Sequence, residues 1–183
     1  MILLIGPSAS GKTEVAKLLM KNRSIRKVVT HTTRPPRIHE VDGVDYHFVD
    51  IPTFESLKEK GEFVETTFFS GKYYGSSKKE VADDKVLIVD PAGLDSYLAL
   101  KDPRVISFYL NTSEEIRKQR MIERGDKKED IQNRLLNDRK AFANVAPTTF
   151  TLENESGSLE ELSETIYDLY QKELKKLNRV SSF

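Results

Sequence analysis

Apolar residues along this chain fall into short runs, separated by stretches in which they recur every three or four positions. Met1-Ile-Leu-Leu-Ile5, Lys27-Val-Val-Thr30, Val86-Leu-Ile-Val-Asp90, Val105-Ile-Ser-Phe-Tyr-Leu110 and Thr148-Thr-Phe-Thr-Leu152 are predicted strands. Several are apolar throughout instead of alternating, as expected of strands covered by helices on both faces. Between them the spacing predicts helices over Lys12–Lys21, Asp95–Leu100, Ser113–Glu123, Lys128–Phe142 and Ser158–Leu177. Strand–helix alternation with crossovers of this length predicts an α/β fold with a mostly parallel central sheet flanked by helices. The last helix opens on Ser158 with Glu161 three residues on, a capping-box pattern. Its Leu159, Leu162, Ile166, Leu169, Tyr170, Leu174 and Leu177 form one stripe, read here as core packing.

The rhythm breaks between Arg34 and Ser77, a segment rich in aromatic, Gly and acidic residues. It predicts one helix, Thr53–Lys60, and short strands at Tyr46–Val49, Phe63–Thr66 and Lys72–Tyr74, a small mixed α/β insertion. The chain therefore divides into a core of residues 1–33 and 81–183 with an insertion at 34–80. Composition narrows the function classes. The 29 Lys plus Arg equal the 29 Asp plus Glu, so no net positive field is available to grip nucleic acid or anionic lipid. The absence of Cys removes thiolate metal sites and thiol nucleophiles. No run approaches the roughly 20 apolar residues that span a bilayer, and Met1–Ile5 is too short for a signal peptide. A cytoplasmic location, with neither membrane nor nucleic acid as partner, is the expectation.

Gly6-Pro7-Ser8-Ala9-Ser10-Gly11-Lys12-Thr13 matches G-x-x-x-x-G-K-[ST] and sits between a predicted strand and a predicted helix. Such a loop turns backbone N–H groups onto phosphate oxygens at a helix N-terminus. Its Lys supplies a point charge to the β- and γ-phosphates, and its Thr a hydroxyl to Mg²⁺. These eight residues are the predicted ATP phosphate site, Thr13 being the predicted magnesium ligand. The loop alone does not choose among kinases, GTPases and ATPases.

Downstream, Thr32-Thr33-Arg34-Pro35-Pro36-Arg37 places two guanidinium forks three residues apart on a proline-stiffened segment, suited to a dianionic group. Glu40-Val-Asp-Gly-Val-Asp-Tyr46-His-Phe48, Gly61-Glu-Phe-Val-Glu65 and Tyr73-Tyr74-Gly75-Ser76 follow. In order and spacing these segments and the loop resemble the guanylate kinase family, over about Leu4 to Glu155 and weakly through the last helix. The resemblance implies a P-loop kinase with an acceptor-binding insertion and a helical lid, transferring phosphate from ATP to GMP with Mg²⁺ as cofactor. It implies that Arg34, Arg37, Tyr46 and Tyr74 hold the GMP phosphate, that Glu65 receives guanine N1–H and the exocyclic amine, and that Thr30 and Ser76 approach O6. A carboxylate matches two adjacent donors on guanine, whereas adenine offers an acceptor at N1.

Arg120, Arg124 and Arg134 match the family's lid arginines, in a lid expected at about 120–139 that is one residue shorter than usual. With Lys12 they are the predicted catalytic residues, neutralising charge on the transferred group. Asn154 matches the family's asparagine on the adenine side. Asp90 matches one acid of the family's acidic-x-Asp-x-Gln-Gly segment, and is expected to serve acceptor contacts or water-mediated Mg²⁺. The other acid is Ile88, the Gln is Ala92, and His39 stands where Gly is usual. Two alternatives stay open. One is a kinase of the same fold with a different nucleotide or phosphorylated acceptor; the other is a catalytically weak binding module of guanylate kinase type. A monomer or a homodimer is expected.

Overall fold

The structure is a computed structural model that describes residues 1–180, with side chains described through Leu177. Five strands form one sheet in the order β2–β7–β1–β8–β9, every neighbouring pair parallel. They are β1 (Ile2–Ile5), β2 (Arg26–Lys27), β7 (Lys85–Ile88), β8 (Ile106–Asn111) and β9 (Phe150–Glu153). Because side chains alternate across a strand, β1 supplies both faces of the core. Ile2 and Leu4 point toward α1 (Lys12–Asn22) and α6 (Leu159–Val180), packing with Val15, Leu19, Ile166 and Tyr170. Met1, Leu3 and Ile5 point the other way, onto Leu94 and Tyr97 of α3 (Pro91–Ala99). All five residues are completely buried. Six of the seven residues of the predicted stripe on the last helix, Leu159, Leu162, Ile166, Leu169, Tyr170 and Leu174, pack in this core. Ser158 Oγ accepts the Glu161 backbone N–H at 3.0 Å, one half of the expected box.

A second, mixed sheet has the order β4–β3–β6–β5. It comprises β3 (His31–Thr32), β4 (His47–Phe48), β5 (Phe63–Phe69) and β6 (Lys72–Ser77), with α2 (Ile51–Glu59) packed beside it. β5 and β6 form a long antiparallel hairpin that turns at Ser70 and Gly71, both with positive φ. β3 pairs with β6 antiparallel and with β4 in parallel. The strand predicted over Lys27–Thr30 is divided between the two sheets. Its first residues bond to β7, Val28 N–H reaching Val86 O, and then the chain leaves, Thr30 O accepting His47 N–H. His31 and His47, sixteen positions apart, become register partners with ring centroids 4.6 Å apart.

Helix α3 begins four residues before the predicted Asp95. Asp90 caps it, its Oδ1 accepting the Gly93 N–H at 2.8 Å, and Pro91 occupies the first turn, where a missing N–H costs nothing. Helices α4 (Glu114–Glu123) and α5 (Lys128–Ala141) lie where predicted, joined through Gly125 at φ 83°. No described helix is long and apolar enough to cross a membrane.

Candidate active site

The phosphate loop leaves β1 at Gly6 and enters α1 at Lys12, so it lies at the carboxyl edge of the sheet. Gly11, at φ 94°, has no alternative: a Cβ there would meet Asn154 Nδ2 at 2.7 Å. Ala9, by contrast, holds a left-handed φ of 60° with a side chain, against Met121, Ile131 and Leu135 of α4 and α5. Lys12 Nζ reaches back over the loop to Gly6 O at 2.6 Å, Pro7 O at 2.7 Å and Ser10 Oγ at 3.3 Å. Burial pulls its pKa down to about 8; nearby Arg117 adds to this and Asp138 opposes it. A cleft of about 440 Å³ opens beside the loop, lined by Ala9 to Thr13 together with Arg120, Arg124 and Asn154.

Two residues that sequence reasoning passed over fix this loop. Arg117 on α4 and Asp138 on α5 form a buried ion pair at 2.8 Å, their side chains 6% and 12% exposed. Asp138 accepts both Ser8 N–H at 2.9 Å and Ser8 Oγ–H at 3.1 Å, while Arg117 donates to Thr112 O and Ser8 O. Asn154 closes the other side, Nδ2 donating to Ser10 O at 2.9 Å. Arg120 spans the two, donating to Ala9 O at 3.3 Å and to Asn154 O at 2.8 Å. Arg124 lines the cleft while paired to Asp126, and exposed Arg134 acts on that same carboxylate.

The residues predicted for the acceptor form two groups. In the first, Arg34 is held by Glu40 at 2.8 Å and lies over the rings of Tyr46 and Phe48, 5.2 and 5.9 Å from their centroids. Tyr74 packs edge-on against Tyr46. Glu40 also accepts Arg37 N–H at 2.7 Å, and the Arg34 guanidinium first of all keeps its carboxyl below the usual range. Glu40 thus presents Arg34 with its face stacked and one edge anchored; the exposed Arg37 side chain is left outside this packing. In the second group, Ser76 Oγ donates to Glu65 Oε1 at 3.1 Å across the β5–β6 hairpin. Burial raises the Glu65 pKa, and Asp90 adds to this while Ser76 opposes it. Gly93 is closely approached: a Cβ there would lie 3.0 Å from Val89 Cβ, 3.1 Å from Glu65 Oε2 and 3.3 Å from Asp90 Oδ1, tighter than ordinary contact. Thr30, half-buried, ends the segment that joins the two sheets. Among the described residues no hydrogen bond connects the Arg34 cluster with the phosphate loop; helix α3 packs against β5 and brings Gly93 and Asp90 beside Glu65.

The donor set bears on magnesium. No three His, Cys, Asp or Glu side chains converge on a metal position among the described residues. Thr13, in the cleft, and Asp90, with one oxygen spent on its helix cap, suit a hard cation that keeps phosphate and water as its main ligands.

A parallel α/β sheet with a phosphate loop at its carboxyl edge and a second, mixed sheet beside it is the architecture of a P-loop kinase. The guanylate kinase family model matches residues 1–173. A guanylate kinase of Helicobacter pylori is 34% identical over 178 residues, covering 92% of this chain and 85% of its own. One from Nitrosomonas europaea is 33% identical over 153 residues, 79% of this chain and 76% of its own. The chain belongs to the guanylate kinase family. The crystal structure of guanylate kinase from Anaplasma phagocytophilum shares its fold, with a TM-score of 0.66 at 24% identity over 94% of this chain and 85% of that one.

Proposed function

We propose that this chain transfers the γ-phosphoryl group of ATP to GMP or dGMP by in-line displacement. The observation that carries the reading is the Glu65–Ser76 pair beside Asp90, at the carboxyl end of β7, next to the strand that ends in the phosphate loop. Relatives named guanylate kinase support the same donor and acceptor. The insertion at 34–80, with Thr30 just before it, holds GMP: Arg34, Arg37, Tyr46 and Tyr74 at its phosphate, Glu65, Thr30 and Ser76 at its base. The cleft holds ATP. Thr13 would hold Mg²⁺ carried on the triphosphate, with Asp90 reaching it through water, and the ion would supply charge neutralisation there.

The chemistry asks little covalent help of the protein. The acceptor phosphate is already anionic at neutral pH, so no general base is needed. The loop amides and Lys12 orient the β- and γ-phosphates, and Arg120, Arg124 and Arg134 neutralise charge and exclude water as the lid closes.

Coupled ADP release with ATP and Mg²⁺, measured against GMP, dGMP, AMP, CMP, UMP and dTMP, tests the reading. GMP and dGMP turn over well above the rest. A second reading, a different acceptor, is favoured by Ile88, an apolar side chain 37% exposed where the family's first acid would stand. Preference for another nucleotide would establish it, and no turnover at all would leave a binding module.

Two further outcomes are expected. Glu65→Gln weakens GMP selectivity by about 1–3 kcal/mol, the cost of mismatching a buried hydrogen-bonding group; unchanged GMP affinity in calorimetry sinks the base pocket. ATP affinity is flat below pH 8 and falls tenfold per unit above it. The depressed Lys12 ammonium must be protonated in the complex, and above its pKa of about 8 that proton is drawn from solution. Titrations in buffers of differing ionisation enthalpy show the matching proton uptake. A flat profile from pH 7 to 10 overturns the assignment.

A further inference from the structure

Tyr97 lies on the inner face of α3, completely buried among Met1, Leu3, Ile5, Val28 and Leu94. Its hydroxyl has no hydrogen-bond partner. An unpartnered hydroxyl in an apolar core is costly, and phenylalanine would fill the same space without that cost. The hydroxyl's surroundings are specific. Helix α3 packs against β5 with Gly93 beside Glu65, and this sets the Tyr97 hydroxyl next to Ser76 without a hydrogen bond between them, within the influence of the Glu65 and Glu80 carboxylates. Ser76 in turn spends its one proton on Glu65 Oε1, 3.1 Å away.

A serine hydroxyl has one proton and two lone pairs, so it cannot donate to Glu65 and to a bound base at once. A guanine base brings its own donors, N1–H and the exocyclic amine, to Glu65. The Ser76 hydroxyl then turns its proton toward O6, and the same rotation brings one of its lone pairs into line with the Tyr97 O–H. Every group is satisfied in that arrangement: Tyr97 donates to Ser76, Ser76 to O6, and the base to Glu65. We infer that Tyr97 is a positioning residue for the acceptor base, its hydroxyl fixing Ser76 as the donor that reads the 6-oxo group. This rests on the proposed base pocket and adds a side chain that does not itself touch the base.

The test is calorimetry on the full chain with GMP and with its 6-thio analogue, which keeps N1–H and the amine but presents a weak acceptor at C6. Tyr97→Phe weakens GMP binding about 3- to 10-fold, the value of one neutral hydrogen bond. It weakens the 6-thio analogue less than twofold, so the preference for the oxo base narrows. In a Ser76→Ala background the same substitution has no further effect on GMP, because the two act as one chain. The melting temperature of the protein without nucleotide stays level or rises, since an unpaired hydroxyl has been removed. Unchanged GMP affinity, equal losses for both nucleotides, additive effects with Ser76→Ala, or a lower melting temperature would each overturn the inference while leaving the pocket standing. If the native protein fails to bind GMP, the pocket reading fails, and the inference with it.

Discussion

Lys12→Met is expected to reduce phosphoryl transfer by about a thousandfold while GMP binding stays measurable by calorimetry. Lys12 is the cation that the loop folds inward, with three oxygen partners of its own chain within 3.3 Å. Removing one preorganised donor from a developing phosphoryl charge costs about 10²–10³ in rate, and losing a full charge lies at the upper end. The split between steps is the informative part. Arg34, Glu65 and Ser76 are on the second sheet, with no hydrogen bond to the loop among the described residues, so the acceptor site survives the substitution. Undiminished turnover would remove Lys12 from the reaction. Loss of GMP affinity would mean that the two halves are coupled before transfer.

The second large effect is on stability. Asp138→Ala is expected to lower the unfolding free energy by about 3–5 kcal/mol, because it strands the buried Arg117 charge. For a chain of this length that is roughly 6–20 °C in Tm. Arg117→Leu combined with Asp138→Ala should recover much of the loss, since an apolar replacement of both partners leaves no charge uncompensated. Urea denaturation of the three variants checks it; a double variant worse than Asp138→Ala alone would contradict it. The same pair has a mechanical meaning. Asp138 ties the later half of α5 to Ser8 of the loop, and Arg117 ties α4 to the same residue. These ties fix both helices to the loop; Arg124 stands at the end of α4 beside the Gly125 turn, and Arg134 midway along α5, four residues before the anchored Asp138.

The central sheet was legible because its strands are apolar runs and its loop has an eight-residue signature. The resemblance likewise picked out Arg34, Tyr46, Tyr74, Glu65 and Ser76, which the structure gathers into two groups on the second sheet. What escaped has physical causes. Arg117 sits three residues before Arg120 on a helix whose composition is polar, so nothing local marks it as the buried one. Its partner lies on another helix, and the hydrogen bonds to Ser8 exist only in the assembled fold. The start of α3 was readable and was missed: Asp90-Pro91 is a cap followed by a first-turn proline. The division of the strand at Lys27–Thr30 had no such cue, because consecutive β-forming residues do not say which sheet they serve. Glu40 and Tyr97 carried ordinary patterns, a surface acid and a helix-face aromatic, and only their neighbours make them matter.

The placement of β1 has a consequence for the birth of the chain. Ile2 has Val86 and Ile106 as its register partners, and its outer cover comes from Ile166 and Tyr170 on the final helix. Strand β1 is thus fully enclosed only once α6 has been made. An apolar strand has to wait, unpaired, while the segments that cover it are synthesised, as non-local parallel pairing requires.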